Sequence, residues 1–257
     1  MKGPTLVIDL ETVPDPELPA PPRKKGSKKG DDFPPIPCHR IVTIGAALLD
    51  AFGRLRRIWI VGEESGGAEL DMLTALVTWL NVQLAQRSGL VLAGWNTRGF
   101  DLPVIVARCL RYGLAVPWYY RQREVRYRYS TEGHLDVMDF LADHGATKPY
   151  SLDLAARLIG MPGKLDCTGA SVTKMIAENR LNEVRAYCMQ DVAQTVALFL
   201  RTQFLCGELD PEGYVAAMEG LLHAIEREPR LAPMLPLIDR QRLLRTAVAP
   251  MLLRAAS

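Results

Sequence analysis

Apolar positions along this chain follow two periods, and the change between them outlines its elements. Leu6-Val7-Ile8 is a short apolar run, and residues 5–10 read as a buried strand. Ile41–Leu49 and Leu55–Val61 are two more β-rich runs, joined by the turn signal Asp50-Ala51-Phe52-Gly53. Over residues 68–87 the period becomes helical: Leu70, Leu73, Leu76, Val77, Leu80 and Leu84 share a stripe that stops at Ser88-Gly89. Leu90–Ala93 is a further short strand, and 101–112 a helix with Asp101 at its N-cap and Pro103 in its first turn. Tyr119–Tyr129, where tyrosine and arginine interleave, reads as a strand pair or an exposed extended ribbon. Leu135–Leu141 and helices over 151–160 and 180–205 follow. Hairpins first, then alternating helices and strands, predict an α/β sandwich with a mixed sheet. Beyond Gly207 the chain is helical and Leu/Ala-rich with a break at Pro229–Pro236, which reads as a C-terminal helical extension, 207–257, on a domain of residues 1–206.

Composition bounds the reading without deciding it. The 257 residues are 48% hydrophobic, and a chain of this size buries roughly three quarters of its unfolded surface. A net charge of +2 makes no global statement about partners, so any affinity for nucleic acid must come from local patches. One such patch is Arg23-Lys24-Lys25-Gly26-Ser27-Lys28-Lys29, inside a Pro-rich stretch from Pro14 to Pro37 whose composition favours a mobile loop. Cys38, Cys109, Cys167, Cys188 and Cys206 form an odd, scattered set without CxxC pairing, as reduced thiols of a cytoplasmic protein do. No signal segment or membrane-length apolar stretch is expected.

The chemistry begins at Asp9-Leu10-Glu11, where the first strand ends. Alternation puts both carboxylates on one side, about 6.6 Å apart along the strand. Such a pair is costly on a buried strand unless a cation neutralises it, and hard ions such as Mg²⁺ and Mn²⁺ prefer oxygen ligands; alone, the pair also fits a solvated strand edge. A second acid, Asp101, ends Asn96-Thr97-Arg98-Gly99-Phe100-Asp101 directly after a strand. An N-cap aspartate needs no function to explain it. A third, Asp191, lies one turn after Tyr187 on the long helix, amid Val184, Val192, Val196 and Leu198.

Taken together, Asp9-x-Glu11, Asn96-xxx-Phe-Asp101 and Tyr187-xxx-Asp191 resemble the three motifs of the DEDD superfamily of 3′→5′ exonucleases. The resemblance is to its tyrosine-bearing branch, among proteins related to the proofreading domain of family B DNA polymerases, and runs over about residues 5–200. His134-Leu135-Asp136, Met138-Asp139, Ser151-Leu152-Asp153-Leu154-Ala155 and Gly160-Met161-Pro162-Gly163-Lys164 match locally as well. The sibling branch carries His five residues before the last Asp, where Ala186 stands here; His134-xxxx-Asp139 has that spacing but lacks the long helix.

The resemblance implies a ribonuclease H-like three-layer fold and a stand-alone nuclease using two divalent ions, Mg²⁺ or Mn²⁺. It implies that Asp9, Glu11 and Asp191 hold the ion that carries the attacking water. Asp9 then bridges to a second ion, assisted by Asp101, and Tyr187 orients the water. Its expected reaction is release of 5′-mononucleotides from a single-stranded or frayed 3′ end, with DNA favoured and an exoribonuclease as the alternative. A non-catalytic nucleic-acid-binding module is the rival from another class. Asn96, Phe100 and Leu10 are the implied substrate contacts, and Lys164 is in reach of a phosphate, although an ordinary surface lysine in a loop explains it better. Arg121 and Arg123 join them as phosphate donors among stacking tyrosines, although a charge-guarded edge strand explains that segment equally well. His39 and His144 read as surface histidines, and the Cys188 thiol as pointing away from the acids.

Overall fold

A computed structural model describes residues 3–21, 34–86, 89–165 and 169–247. The basic run 23–29, Cys167 and residues 248–257 lie outside the described residues. Five strands form one sheet: β1 (Thr5–Pro14), β2 (His39–Leu49), β3 (Leu55–Ile60), β4 (Val91–Gly94) and β5 (His134–Asp136). Their order is β3-β2-β1-β4-β5. The β1–β2–β3 meander is antiparallel, and β4 and β5 add in parallel on the other side of β1. This mixed sheet, covered by helices on both faces, is the α/β sandwich expected from the order of hairpins, helices and strands.

Alternation in β1 assigns the faces. Leu6, Ile8 and Leu10 join Ile44, Ala46, Leu73 and Ile105 in a core beneath α1 (Glu69–Ala85) and α2 (Asp101–Tyr112). Val7 points the other way, with Ala47 and Leu49, toward α6 (Leu152–Ile159) and α8 (Leu181–Leu205). Asp9 and Glu11 have the parity of Val7, so the strand's own period sends them toward α8. A bulge between Glu11 and Thr12 then re-aims the end of the strand. Opposite Asp9 in the register stands Gly45. A Cβ there would lie 2.8 Å from Val192 Cγ2 and 3.0 Å from Cys188 Sγ, so the missing side chain lets α8 seat directly on the sheet.

Three expectations change. Tyr119–Tyr129 is no strand pair: it holds two single-turn helices, α3 (Pro117–Tyr120) and α4 (Arg123–Arg126). Pro117 presets the first turn, and Trp118 and Val125 are buried in the α1/α2 core. Asp101 is not the N-cap of α2, since Phe100 occupies that position and Asp101 is the first helical residue. Within 135–141, β5 ends at Asp136, whose carboxylate caps α5 (Val137–Leu141).

The segment after Gly207 is helical, as expected, over α9 (Pro211–Arg227), with Asp210 accepting the Gly213 N–H at 2.7 Å. Tyr214, Met218, Leu221 and Ile225 belong to the same core as Val7 and Val192. The prolines fall in a 3-10 turn, Ala232–Leu237, before α10 (Arg240–Leu243). Between α6 and α8, α7 (Gly169–Ala177) lies against the end of β1, where Val172 and Met175 pack on Val13 and Tyr187. Among the described residues, no helix is long and apolar enough to cross a membrane.

Candidate active site

β1 and α8 bring three carboxylates together. Ligand oxygens of Asp9, Glu11 and Asp191 lie within 4.8 Å of one another. Glu11 and Asp191 are buried and Asp9 half-buried. Asp101 stands beside this triad: its Oδ1 accepts the Leu10 N–H at 3.1 Å, between the two β1 acids. Because it does not cap its own helix, that carboxylate is available to β1.

Desolvation is the main cause that pushes the acids up, and mutual repulsion adds to it. Asp9 is raised by burial and by Asp101, Glu11 and Asp191 in turn. Glu11 is raised by burial, then by Asp191 and Asp101. Asp101 rises to about 8, through burial, opposed by backbone N–H groups. Asp191 rises to about 6, through burial, eased by Lys164, Tyr187 and Gln194. Four acids with one nearby lysine are undercompensated as a protein-only cluster, and an all-oxygen donor set of this charge fits a hard divalent cation.

Tyr187 lies against the same cluster, one helical turn before Asp191, and its hydroxyl helps to lower the Asp191 pKa. Burial, then Asp191, Glu11 and Asp9, hold its phenol protonated far above neutral pH. Lys164 arrives from the turn after α6. Its Nζ sits 5.7 Å from the Tyr187 ring centroid, and its charge lowers both Glu11 and Asp191. The turn is tied down by the Lys164 N–H, which donates to Asp153 Oδ1 at 2.7 Å. Gly163 permits the close approach at φ +76°, since a Cβ would meet Asp153 Oδ1 at 2.4 Å. Lys164 is thus part of the charged cluster rather than an ordinary surface lysine.

The turn Asn96–Phe100 is held on β5 by Asp136, which accepts the backbone N–H groups of Asn96 at 3.0 Å and Arg98 at 2.8 Å. Asn96 adopts φ 59°, and Phe100 packs edge-on against His39 at 5.1 Å between centroids. Leu10 offers the site its backbone only, its side chain being buried in the α1/α2 core. Arg121 caps α3 and Arg123 opens α4; both are exposed, with the Arg123 guanidinium 5.3 Å from the Tyr127 ring centroid.

Several local expectations are corrected. Cys188 does not point away from the acids: its buried thiol lies 3.4 Å from Asp9 Oδ2 and 3.5 Å from the Asp9 carbonyl. No pattern in the sequence signals this, because from Tyr187 to Leu200 α8 is buried on nearly every side and shows little outward face. His39 is no surface histidine. It is buried between Thr12 Oγ1 at 2.8 Å and the Pro34 carbonyl at 2.9 Å, and burial lowers its pKa. His144 is half-buried against Asp139, with Nδ1 at 2.8 Å. The His134/Asp139 pair stays apart from the acids: His134 Nε2 meets Thr97 Oγ1 at 2.9 Å, and Asp139 pairs with Arg128 and His144. Cys38, Cys109, Cys188 and Cys206 are free thiols.

Comparison with curated proteins gives no match. Among solved structures, the family B DNA polymerase of the hyperthermophilic archaeon Pyrobaculum calidifontis is similar at 17% identity with a TM-score of 0.49, over 96% of this chain and 28% of that one. The chain therefore spans less than a third of that polymerase. A family model described as a predicted 3′-5′ exonuclease related to the exonuclease domain of PolB matches residues 31–235, most of the sequence, and the chain belongs to that family.

Proposed function

We propose that this protein is a divalent-metal-dependent 3′→5′ exonuclease that releases 5′-mononucleotides from single-stranded or frayed 3′ ends, with DNA favoured. The observation that carries this reading is the meeting of Asp9, Glu11 and Asp191 within 4.8 Å beside Asp101, with Tyr187 one helical turn before Asp191. Two ions, Mg²⁺ or Mn²⁺, held by Asp9, Glu11, Asp191 and Asp101, would supply Lewis-acid activation of water and stabilisation of the leaving oxygen. The chain's own groups do the rest. Tyr187 stays protonated and orients the attacking water by a hydrogen bond. Lys164, poised over the tyrosine ring, offers its ammonium to the scissile phosphate. Asn96 and Phe100 flank Asp101 where the terminal nucleotide docks, with the Leu10 backbone beneath it. Arg121 and Arg123 meet phosphates further along the strand.

The test uses DNA and RNA oligonucleotides of one sequence, labelled at either end, with Mn²⁺ or Mg²⁺. A 5′-labelled DNA strand should shorten stepwise from its 3′ end, faster than RNA, and EDTA should stop it. Absence of digestion, or shortening from the 5′ end, would overturn the reading. Faster digestion of RNA would replace the substrate preference and leave the polarity standing.

A further inference from the structure

Each acid of the cluster meets a different kind of partner. Asp101 Oδ1 accepts the Leu10 N–H at 3.1 Å, and Asp191 Oδ1 accepts Gln194 Nε2 at 3.3 Å. Glu11 lies in the field of the Lys164 charge. For the Asp9 carboxylate, the one hydrogen-bond donor among the described residues is the Cys188 thiol, 3.4 Å from Oδ2. The same sulfur lies 3.5 Å from the Asp9 carbonyl, so it is seated against both the backbone and the side chain of that residue. Cys188 is 0% exposed, and its S–H has no water to turn to. Gly45 stands opposite Asp9 in the strand register, and a Cβ on it would lie 3.0 Å from the sulfur. The bare glycine thus sets the depth at which α8 brings residue 188 to the strand.

We propose that Cys188 is a positioning residue for Asp9: its S–H holds Oδ2 on the α8 side and fixes the carboxylate in the orientation that meets a divalent ion together with Glu11 and Asp191. The inference rests on the metal-holding part of the nuclease reading and deepens it; it is independent of strand polarity and of the choice between DNA and RNA. The sulfur itself is not a ligand. The mutually close donors are oxygens of Asp9, Glu11 and Asp191, and hard ions take oxygen in preference to thiolate. A thiol is a weak donor, whereas a carboxylate has about four lone-pair sites. One site is engaged, and the others keep their negative charge for the ion. A lysine or arginine in the same place would hold the oxygen more firmly, but would cancel the charge that binds a cation.

The experiment measures Mn²⁺ binding to the full chain without substrate, by electron paramagnetic resonance of the free ion, for wild type, Cys188→Ala and Cys188→Ser. The alanine variant lacks the donor and should bind Mn²⁺ about tenfold more weakly. The serine variant restores a donor and should bind within about threefold of wild type. A side chain that merely filled space would show no rescue by serine, since neither variant replaces the volume of the sulfur. Equal weakening in both variants, or wild-type affinity in Cys188→Ala, would therefore overturn the role. A second readout needs no ion. In the infrared, the S–H stretch of Cys188, identified by its loss in Cys188→Ser, should lie below that of an unbonded thiol and move up in Asp9→Ala. A band unmoved by Asp9→Ala would overturn the contact. If wild type takes up no Mn²⁺, the nuclease reading and this role fall together. If the three proteins bind Mn²⁺ in the expected order but digest no strand, the nuclease reading falls and the role stands. Tighter binding of Cd²⁺ than of Mn²⁺ that Cys188→Ser removes would make the sulfur a ligand and overturn the role.

Discussion

Arg108→Met tests how the catalytic strand and the Asp101 helix are locked together. Arg108, on α2, is 2% exposed. Its Nη1 donates to Asp15 Oδ2 at 2.5 Å, and its Nε and Nη2 donate to Glu69 at 2.8 and 2.6 Å. Asp15 directly follows β1, and Glu69 opens α1 and also accepts the Ile41 N–H at 2.7 Å and the Tyr112 hydroxyl at 2.8 Å. One guanidinium thus joins the strand carrying Asp9 and Glu11 to the helix carrying Asp101. Removing it strands two buried carboxylates, for which about 3–5 kcal/mol is expected. At about 2–4 °C per kcal/mol for a domain of this size, the melting temperature should fall by about 6–20 °C. The loss should depend on pH. Burial pushes Asp15 up, but its hydrogen bonds from Arg108 and the Glu17 N–H hold it below the usual carboxylate value. A depressed folded-state pKa contributes stability above the unfolded value of about 3.9, and that contribution disappears as pH falls through the folded value. In the variant the Arg108 guanidinium is gone and only the Glu17 N–H and Arg111, whose Nη1 is 3.8 Å from Asp15, oppose burial, so Asp15 takes up a proton more readily and the deficit is largest at pH 7–8 and narrows on acidification. Urea unfolding of both proteins at pH 7.5 and 5 reads this. A deficit under about 1 kcal/mol, or one unchanged by pH, would refute the lock.

Three further outcomes follow from the site. In EDTA the melting temperature should fall as pH rises from about 6 through about 8, because Asp191 and Asp101 have raised values and their contribution is lost as each ionises; a flat profile by scanning calorimetry would contradict the crowding of the acids. Tyr187→Phe should lower kcat about 10–100-fold with KM held, less than the loss of a carboxylate; an equal loss in steady-state kinetics would mean that the hydroxyl does more than position water. Gly45→Ala should destabilise by about 1–3 kcal/mol in urea unfolding, because its Cβ meets Val192 and Cys188; an unchanged midpoint would show that α8 yields freely.

The parts of this fold that were legible in the sequence are those whose side chains obey a local period. The apolar run before Asp9 gave β1 its face, and that face decides that Asp9 and Glu11 look toward α8. One-turn spacing placed Tyr187 with Asp191. What stayed hidden depends on packing at long range. Cys188 meets Asp9 only because Gly45 lets α8 sit on the sheet, a contact 179 residues apart in sequence. His39 is buried by the Pro34 carbonyl, Thr12 and Phe100, which no local pattern foretells. Interleaved tyrosines and arginines imitate a strand, yet Pro117 and the burial of Trp118 and Val125 fold that segment into two helical turns. The buried face of α9 is readable as an amphipathic helix, but not that it joins the core beside the sheet.

The most direct test of the central claim is digestion of a 5′-labelled single-stranded DNA by wild type and Asp191→Asn across a Mn²⁺ titration, with folding of each checked by circular dichroism. The carboxylate account predicts a ladder shortening from the 3′ end that requires Mn²⁺ in wild type and a loss of at least about 10³-fold in the variant at every concentration. Full activity of a folded Asp191→Asn protein, or digestion that persists in EDTA, would contradict it.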